Sequence, residues 1–113
     1  MGGKELTVIA SAKKKTTKET RMIESLLRQN FPGFPSKYPP KAYWYNPSSI
    51  RVRLVHDMFK GKDRSEREKV VLPVIESLPK EILEDLMVLV LLPPDELMNS
   101  PMNLEFDHPT HVN

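Results

Sequence analysis

A stretch of 113 residues, 39% hydrophobic and 28% charged, has room for one domain with one modest core. It contains no cysteine, which excludes disulfides, thiol nucleophiles and any zinc or iron–sulfur site built from its own thiolates. The net charge of +2 is uneven: the first 21 residues hold six Lys and Arg against Glu5 and Glu19, leaving 11 basic against 13 acidic residues elsewhere. Basicity is therefore a property of an N-terminal arm, and the overall charge by itself is no sign of nucleic-acid binding.

No apolar run approaches the roughly 18–20 residues of a membrane span. Leu6–Ala12 is too short for a secretory leader and follows an acidic residue. The expectation is a protein without a membrane partner, in the cytoplasm or another reducing compartment.

Residues 1–15 lack periodicity and read as a flexible basic arm. Thr16-Thr17-Lys18-Glu19 has the pattern of a capping box, and Met22, Ile23, Leu26 and Leu27 recur at spacings of three and four. An amphipathic helix over about 17–30 follows, closed by Pro32 and Gly33. After a Pro-rich connection, Ala42–Tyr45 reads as an aromatic strand and Asn46–Ser49 as a turn. Ile50, Val52 and Leu54 alternate with Arg51, Arg53 and Val55, the period of a strand with one buried and one basic face. The two strands form an antiparallel hairpin.

Asp63 with Glu66 three residues on caps a second helix, whose apolar side is Val70, Val71, Val74, Ile75 and Leu78. Pro73 lies inside it and predicts a kink or break. Pro79 restarts a short helix. Leu86–Leu92 is continuously apolar, as in a strand covered on both sides, by helices on one and by other packing, such as a partner, on the second. Pro94–Leu97 suits one last helical turn, and residues 100–113 read as a C-terminal tail. The fold class is α+β in the order α-β-β-α-α-β-α: a single domain over 16–99, with a three-stranded mixed sheet and helices on one face.

This order, and the residues around Gly61, resemble the BolA family, whose fold is like a type II KH domain. The local pattern runs from Arg51 to Leu97. Phe59-Lys60-Gly61-Lys62 matches the family's Gly turn, with Asp63 in place of a Ser. Arg67 and Val71 match an Arg and a Val, and Leu92-Pro93-Pro94-Asp95-Glu96 resembles a terminal Thr-Pro-Glu-Glu. Glu68 stands where the family has a His. The resemblance implies a non-enzymatic adaptor that docks a monothiol glutaredoxin in iron–sulfur or redox regulation. The family's His is linked to cluster sharing, and a carboxylate is a poor replacement for imidazole there. No cofactor or metal is expected of this chain itself.

Candidate residues fall into two groups. Arg64, Arg67 and Glu68, expected on the exposed side of the second helix, are the partner-binding residues the resemblance points to; an ordinary charged helix face carrying Glu66, Arg67, Glu68 and Lys69 is the competing account. The alternative function is single-stranded nucleic-acid binding, with Tyr43, Trp44 and Tyr45 stacking bases beside Arg51 and Arg53, aided by Lys13, Lys14 and Lys15. The competing structural account is a solvated strand whose Arg stems cover aromatic rings. With glycine only at positions 2, 3, 33 and 61, the chain lacks the Gly-x-x-Gly clamp of KH domains. A third reading is a homodimer that pairs the edge of Leu86–Leu92 or of the hairpin. Asp107-His108-x-x-His111 lacks the ligands to close a metal shell, and His56 has no local nucleophile to serve. No catalytic constellation is present in the pattern, and the chain is not expected to be an enzyme.

Overall fold

The computed structural model describes residues 14–110. The order is α1 (Lys18–Asn30), β1 (Lys41–Asn46), β2 (Ser49–Val55), α2 (Arg64–Ile75), α3 (Lys80–Asp85), β3 (Leu86–Leu92) and α4 (Pro101–Asp107). Short 3-10 turns, Asp57–Phe59 and Pro94–Asn99, join β2 to α2 and β3 to α4. The sheet order is β1-β2-β3, with β1 antiparallel and β3 parallel to β2. The fold is thus α+β with a three-stranded mixed sheet, and the three strands and first three helices stand where the periodicity puts them.

Alternation along the strands separates two apolar layers. Ala42, Ile50, Val52, Leu54 and Leu91 face α1, α2 and α3 and form the main core with Ile23, Leu27, Phe59, Val71, Ile75 and Ile82. Tyr43 and Val90 face the opposite way and enclose Phe106 of α4. This corrects two expectations. Residues 101–107 are a helix, not part of a tail, and the helices lie on both faces of the sheet. The local signal for α4 is Ser100-Pro101: the Ser100 hydroxyl accepts from the Asn103 amide at 3.1 Å, and Pro occupies the first helical position.

The α1 cap also differs in detail. Thr17 is the N-cap, and Thr20 rather than Glu19 completes the box: the Thr17 amide donates to Thr20 Oγ1 at 2.8 Å. At α2 the box is as expected, with the Glu66 amide on Asp63 Oδ1 at 2.9 Å and the Asp63 amide on Glu66 Oε1 at 2.8 Å. Pro73 falls in the last turn of α2, so the helix ends at Ile75 soon after it instead of kinking midway. Asp63→Ala removes the α2 cap and is expected to cost about 1 kcal/mol in urea unfolding, with Asp63→Ser retaining most of it.

His56 has the structural role its isolation implied. Its Nδ1 accepts from the Met58 amide at 3.0 Å, so Nε2 carries the proton and donates to the Pro32 carbonyl at 2.7 Å. Gly33, at φ +98°, lies against this imidazole; a Cβ there would stand 3.3 Å from Nε2. The ring thereby ties the loop after α1 to the end of β2.

Candidate functional site

The two edges of the sheet are treated differently. On β1, the Ala42 amide donates to Glu24 Oε2 at 2.9 Å. Trp44 exchanges backbone hydrogen bonds with Lys15 at 2.7 and 3.2 Å, and its indole donates to Thr17 Oγ1. Lys15 therefore belongs to the folded domain, which corrects the flexible arm at its last residue. Lys13 lies outside the described residues.

The β3 edge has no strand beside it among the described residues. The His56 amide donates to the Leu92 carbonyl, so Leu92 points its backbone at β2; by alternation Leu89 and Leu91 point theirs outward. One outward group is taken: the Leu91 carbonyl accepts from Arg67 at 3.0 Å. A bulge at Met87 bends the start of this edge, since Ile50 pairs with Leu86 and Arg51 with Val88.

Beside this edge runs an open groove of about 520 Å³, walled by Arg64, Glu68 and Leu72 of α2, by Met87 and Leu89 of β3, and by Met102 of α4. Met87 is 60% and Met102 39% exposed. Arg64 and Glu68 pair across one helical turn at 3.4 Å on the groove rim. Arg67 is not with them on the exposed side of α2. Its guanidinium faces inward, forked onto both carboxylate oxygens of Glu96 at 3.0 Å each. This hydrogen bonding holds the Glu96 carboxyl below its ordinary pKa. All three partner-binding residues expected from the sequence border the hollows between α2 and β3, Arg64 and Glu68 on the rim and Arg67 deeper, where it also clamps α2 to the segment after β3.

The basic, aromatic face of the hairpin is not open. Lys41, Tyr43 and Tyr45 share a face with Arg51 and Arg53, and α4 covers it. Arg51 binds Glu105 at 3.0 Å, and Arg53 binds Asp107 at 2.7 Å and Asn103 Oδ1 at 2.9 Å. The Tyr43 hydroxyl donates to the Phe106 carbonyl at 2.6 Å, and that of Tyr45 to the Thr110 carbonyl. Arg51 stacks 3.7 Å above the Tyr45 ring, and Arg53 lies 4.8 Å from the Phe106 ring. Trp44 faces the other way, into the main core. The expectation of an exposed nucleic-acid strand is thereby corrected: four of its residues lie beneath the chain's own last helix, and Tyr43 has no exposed surface.

Two titrations follow from this arrangement. Burial pushes the Tyr43 phenol above its ordinary value. The Arg51 guanidinium holds the Glu105 carboxyl below its own. A depressed carboxylate stabilises the fold above its unfolded pKa, about 4.3, and that contribution is lost as pH falls through the depressed folded value. Acid below about pH 4 is therefore expected to release α4 ahead of the main core, visible as faster hydrogen exchange at Met102–Asp107 while β2 stays protected.

Among the described residues no group of three His, Asp or Glu is placed to hold a metal ion, and no helix is long and apolar enough to cross a membrane. His108 caps the end of α4, and His111 lies outside the described residues. Comparison of the chain with protein-family models, with curated proteins and with solved structures finds no match.

Proposed function

We propose that this chain is a non-enzymatic docking module that takes an extended segment of a partner protein along the free edge of β3. The unpaired edge beside a groove of mixed apolar and charged lining carries this reading. Strand addition supplies main-chain hydrogen bonds to the amide and carbonyl of Leu89 and the amide of Leu91, while alternate apolar side chains of the incoming segment meet Met87, Leu89 and Met102. The Arg64–Glu68 pair on the rim offers one charge of each sign and favours a partner carrying the complementary pair. Covering of the β1 edge by Glu24 and Lys15 makes β3 the side on which a strand can join.

A monothiol glutaredoxin is the partner that the BolA resemblance suggests, and it is one arm of the test; Glu68 in place of His argues for docking without cluster sharing. The experiment is capture by the tagged chain at moderate salt with nuclease, followed by hydrogen exchange of the chain with each purified partner. Docking at β3 predicts new protection of the Leu89 and Leu91 amides and loss of capture in Met87→Lys, because a lysine at the edge opposes strand addition. Capture that survives Met87→Lys and leaves β3 exchange unchanged overturns the reading. Protection of β3 by concentration alone, with a doubled mass in sedimentation, would identify the added strand as a second copy.

A further inference from the structure

We propose that the sheet face beneath α4 is a binding site for a single-stranded nucleic acid, which α4 keeps closed by standing in for the ligand. In this arrangement Glu105 and Asp107 take the place of two phosphates, and Phe106 that of a base. The site lies on the sheet face opposite α2, and because α4 also carries Met102, its release removes one wall of the groove beside β3.

The first observation is the match of chemistries. Glu105-Phe106-Asp107 presents anion, ring and anion to a surface that offers Arg51, the Tyr43 ring and Arg53. The Phe106 ring centroid lies 4.8 Å from that of Tyr43, tilted by 51°, with the Arg53 guanidinium over it. Guanidinium contacts to phosphate and aromatic contacts to bases are how single strands are held without sequence reading. Arg51 and Tyr45, stacked at 3.7 Å, add a preformed flat platform at the edge of the same face.

The second is an excess of positive charge. Lys41 pairs with Arg53 across the hairpin and so lies on this face, and the Lys14 ammonium sits 5.7 Å from the Tyr43 ring. Four cations, Lys14, Lys41, Arg51 and Arg53, thus meet two carboxylates of α4. Burial, then Lys41, lower the Lys14 pKa, with Asp107 opposing and Arg53 adding to the shift. The pairing is also incomplete atom by atom. Arg51 and Arg53 each reach α4 through a single terminal nitrogen, and their buried Nε atoms have no partner among the described residues. The Arg53 side chain is only 6% exposed. A phosphate offers more acceptors than one carboxylate oxygen and suits a bidentate guanidinium.

The third is how α4 is held. It has seven residues, too few for a stable helix by itself; Phe106 in the small second layer is its one fully buried apolar side chain, with Met102 partly covered beside β3 and Asn103 donating to the Leu97 carbonyl at 3.3 Å. Leu104, on its outer side, is 65% exposed. Ser100 and Pro101 join it to the preceding 3-10 turn, so it can leave without disturbing the main core.

The test is fluorescence anisotropy with labelled oligothymidylate and oligouridylate, comparing the full chain with Glu105→Gln/Asp107→Asn. Loosening α4 is expected to tighten binding by about tenfold, the factor by which the open state gains population. Adding Arg51→Gln to that double variant is expected to abolish the gain. No gain, or a gain that survives Arg51→Gln and so belongs to the basic arm, overturns the proposal. Equal competition by inorganic polyphosphate of matched charge overturns the nucleic-acid assignment in favour of a plain anion site. If the double variant is unfolded by circular dichroism, hydrogen exchange of the unaltered chain with oligothymidylate in large excess decides: lost protection at Met102–Asp107 supports the proposal, and unchanged protection overturns it.

Discussion

Phe59→Ala is expected to bring this protein close to global unfolding at physiological temperature. Phe59 is one of the largest side chains with no exposed surface, and it lies in the main core with Val52, Leu54 and Val71. It reaches that core from a 3-10 turn held by backbone hydrogen bonds, Phe59 amide to His56 carbonyl and Lys60 amide to Asp57 carbonyl. The turn passes into Gly61, at φ +75°, a conformation that favours glycine. The buried cluster that holds the ring includes residues of β2, α2 and β3, which the sheet and the α2 cap keep in place, so the cavity collapses poorly. Truncation of such a residue costs about 3–5 kcal/mol, against the roughly 5–15 kcal/mol that a domain of this size has in total. The melting temperature should fall by about 15 °C or more. Thermal and urea melts followed by circular dichroism measure this; a loss under about 1 kcal/mol would mean that the turn does not anchor the core.

The same turn shows why much of the architecture is legible in the sequence. Period-two alternation in Ile50–Val55 and the continuous apolar run Leu86–Leu92 each have one consistent solution, and Asp63 with Glu66 marks a helix start by a mechanism that needs no tertiary context. What was not legible is the second layer. Arg51 and Arg53 announce a polar strand face, and a polar face is equally consistent with water, a ligand or an acidic helix. Ser100-Pro101 was the available sign that a helix begins there, but a seven-residue segment with Met102 and Leu104 exposed has no amphipathic period to read. Arg67 illustrates a different gap. On α2 it sits among Glu66, Glu68 and Lys69 and reads as one more surface charge; only the return of the chain after β3 brings Glu96 and the Leu91 carbonyl to it. The BolA resemblance rests on this region, including Phe59–Lys62 and Arg67. Inside this chain those residues have sufficient structural reasons, a Gly turn and a clamp, and neither requires the function of that family.

Phe106→Ala should produce a different phenotype from Phe59→Ala: release of one helix with the rest of the fold intact. The ring is 1% exposed, and in a rigid core its truncation would cost as much as that of Phe59. Here the chain has an alternative to keeping a cavity, because α4 can detach at Ser100 and the penalty is limited to its docking free energy. Local opening of this kind is the low-stability end of a native ensemble. Amides of Met102–Asp107 should lose their exchange protection, while β2 and α2 change little and the melting temperature falls less than in Phe59→Ala. Tyr43 gives an independent readout. Burial raises its phenol above the ordinary value of 10.0, and its hydroxyl is bound by the Phe106 carbonyl. An acid whose folded pKa is raised favours the fold in its protonated form, so its contribution is complete below the unfolded value and is lost as pH rises from there toward the folded value. With α4 released, Tyr43 faces water and should titrate near its ordinary pKa, removing that part of the alkaline destabilisation. Ultraviolet titration of the phenolate in Phe106→Ala, with Tyr43→Phe to identify the group, tests this. If Tyr43 still titrates late while α4 exchanges freely, the phenol is buried by the sheet itself and α4 is not what covers it.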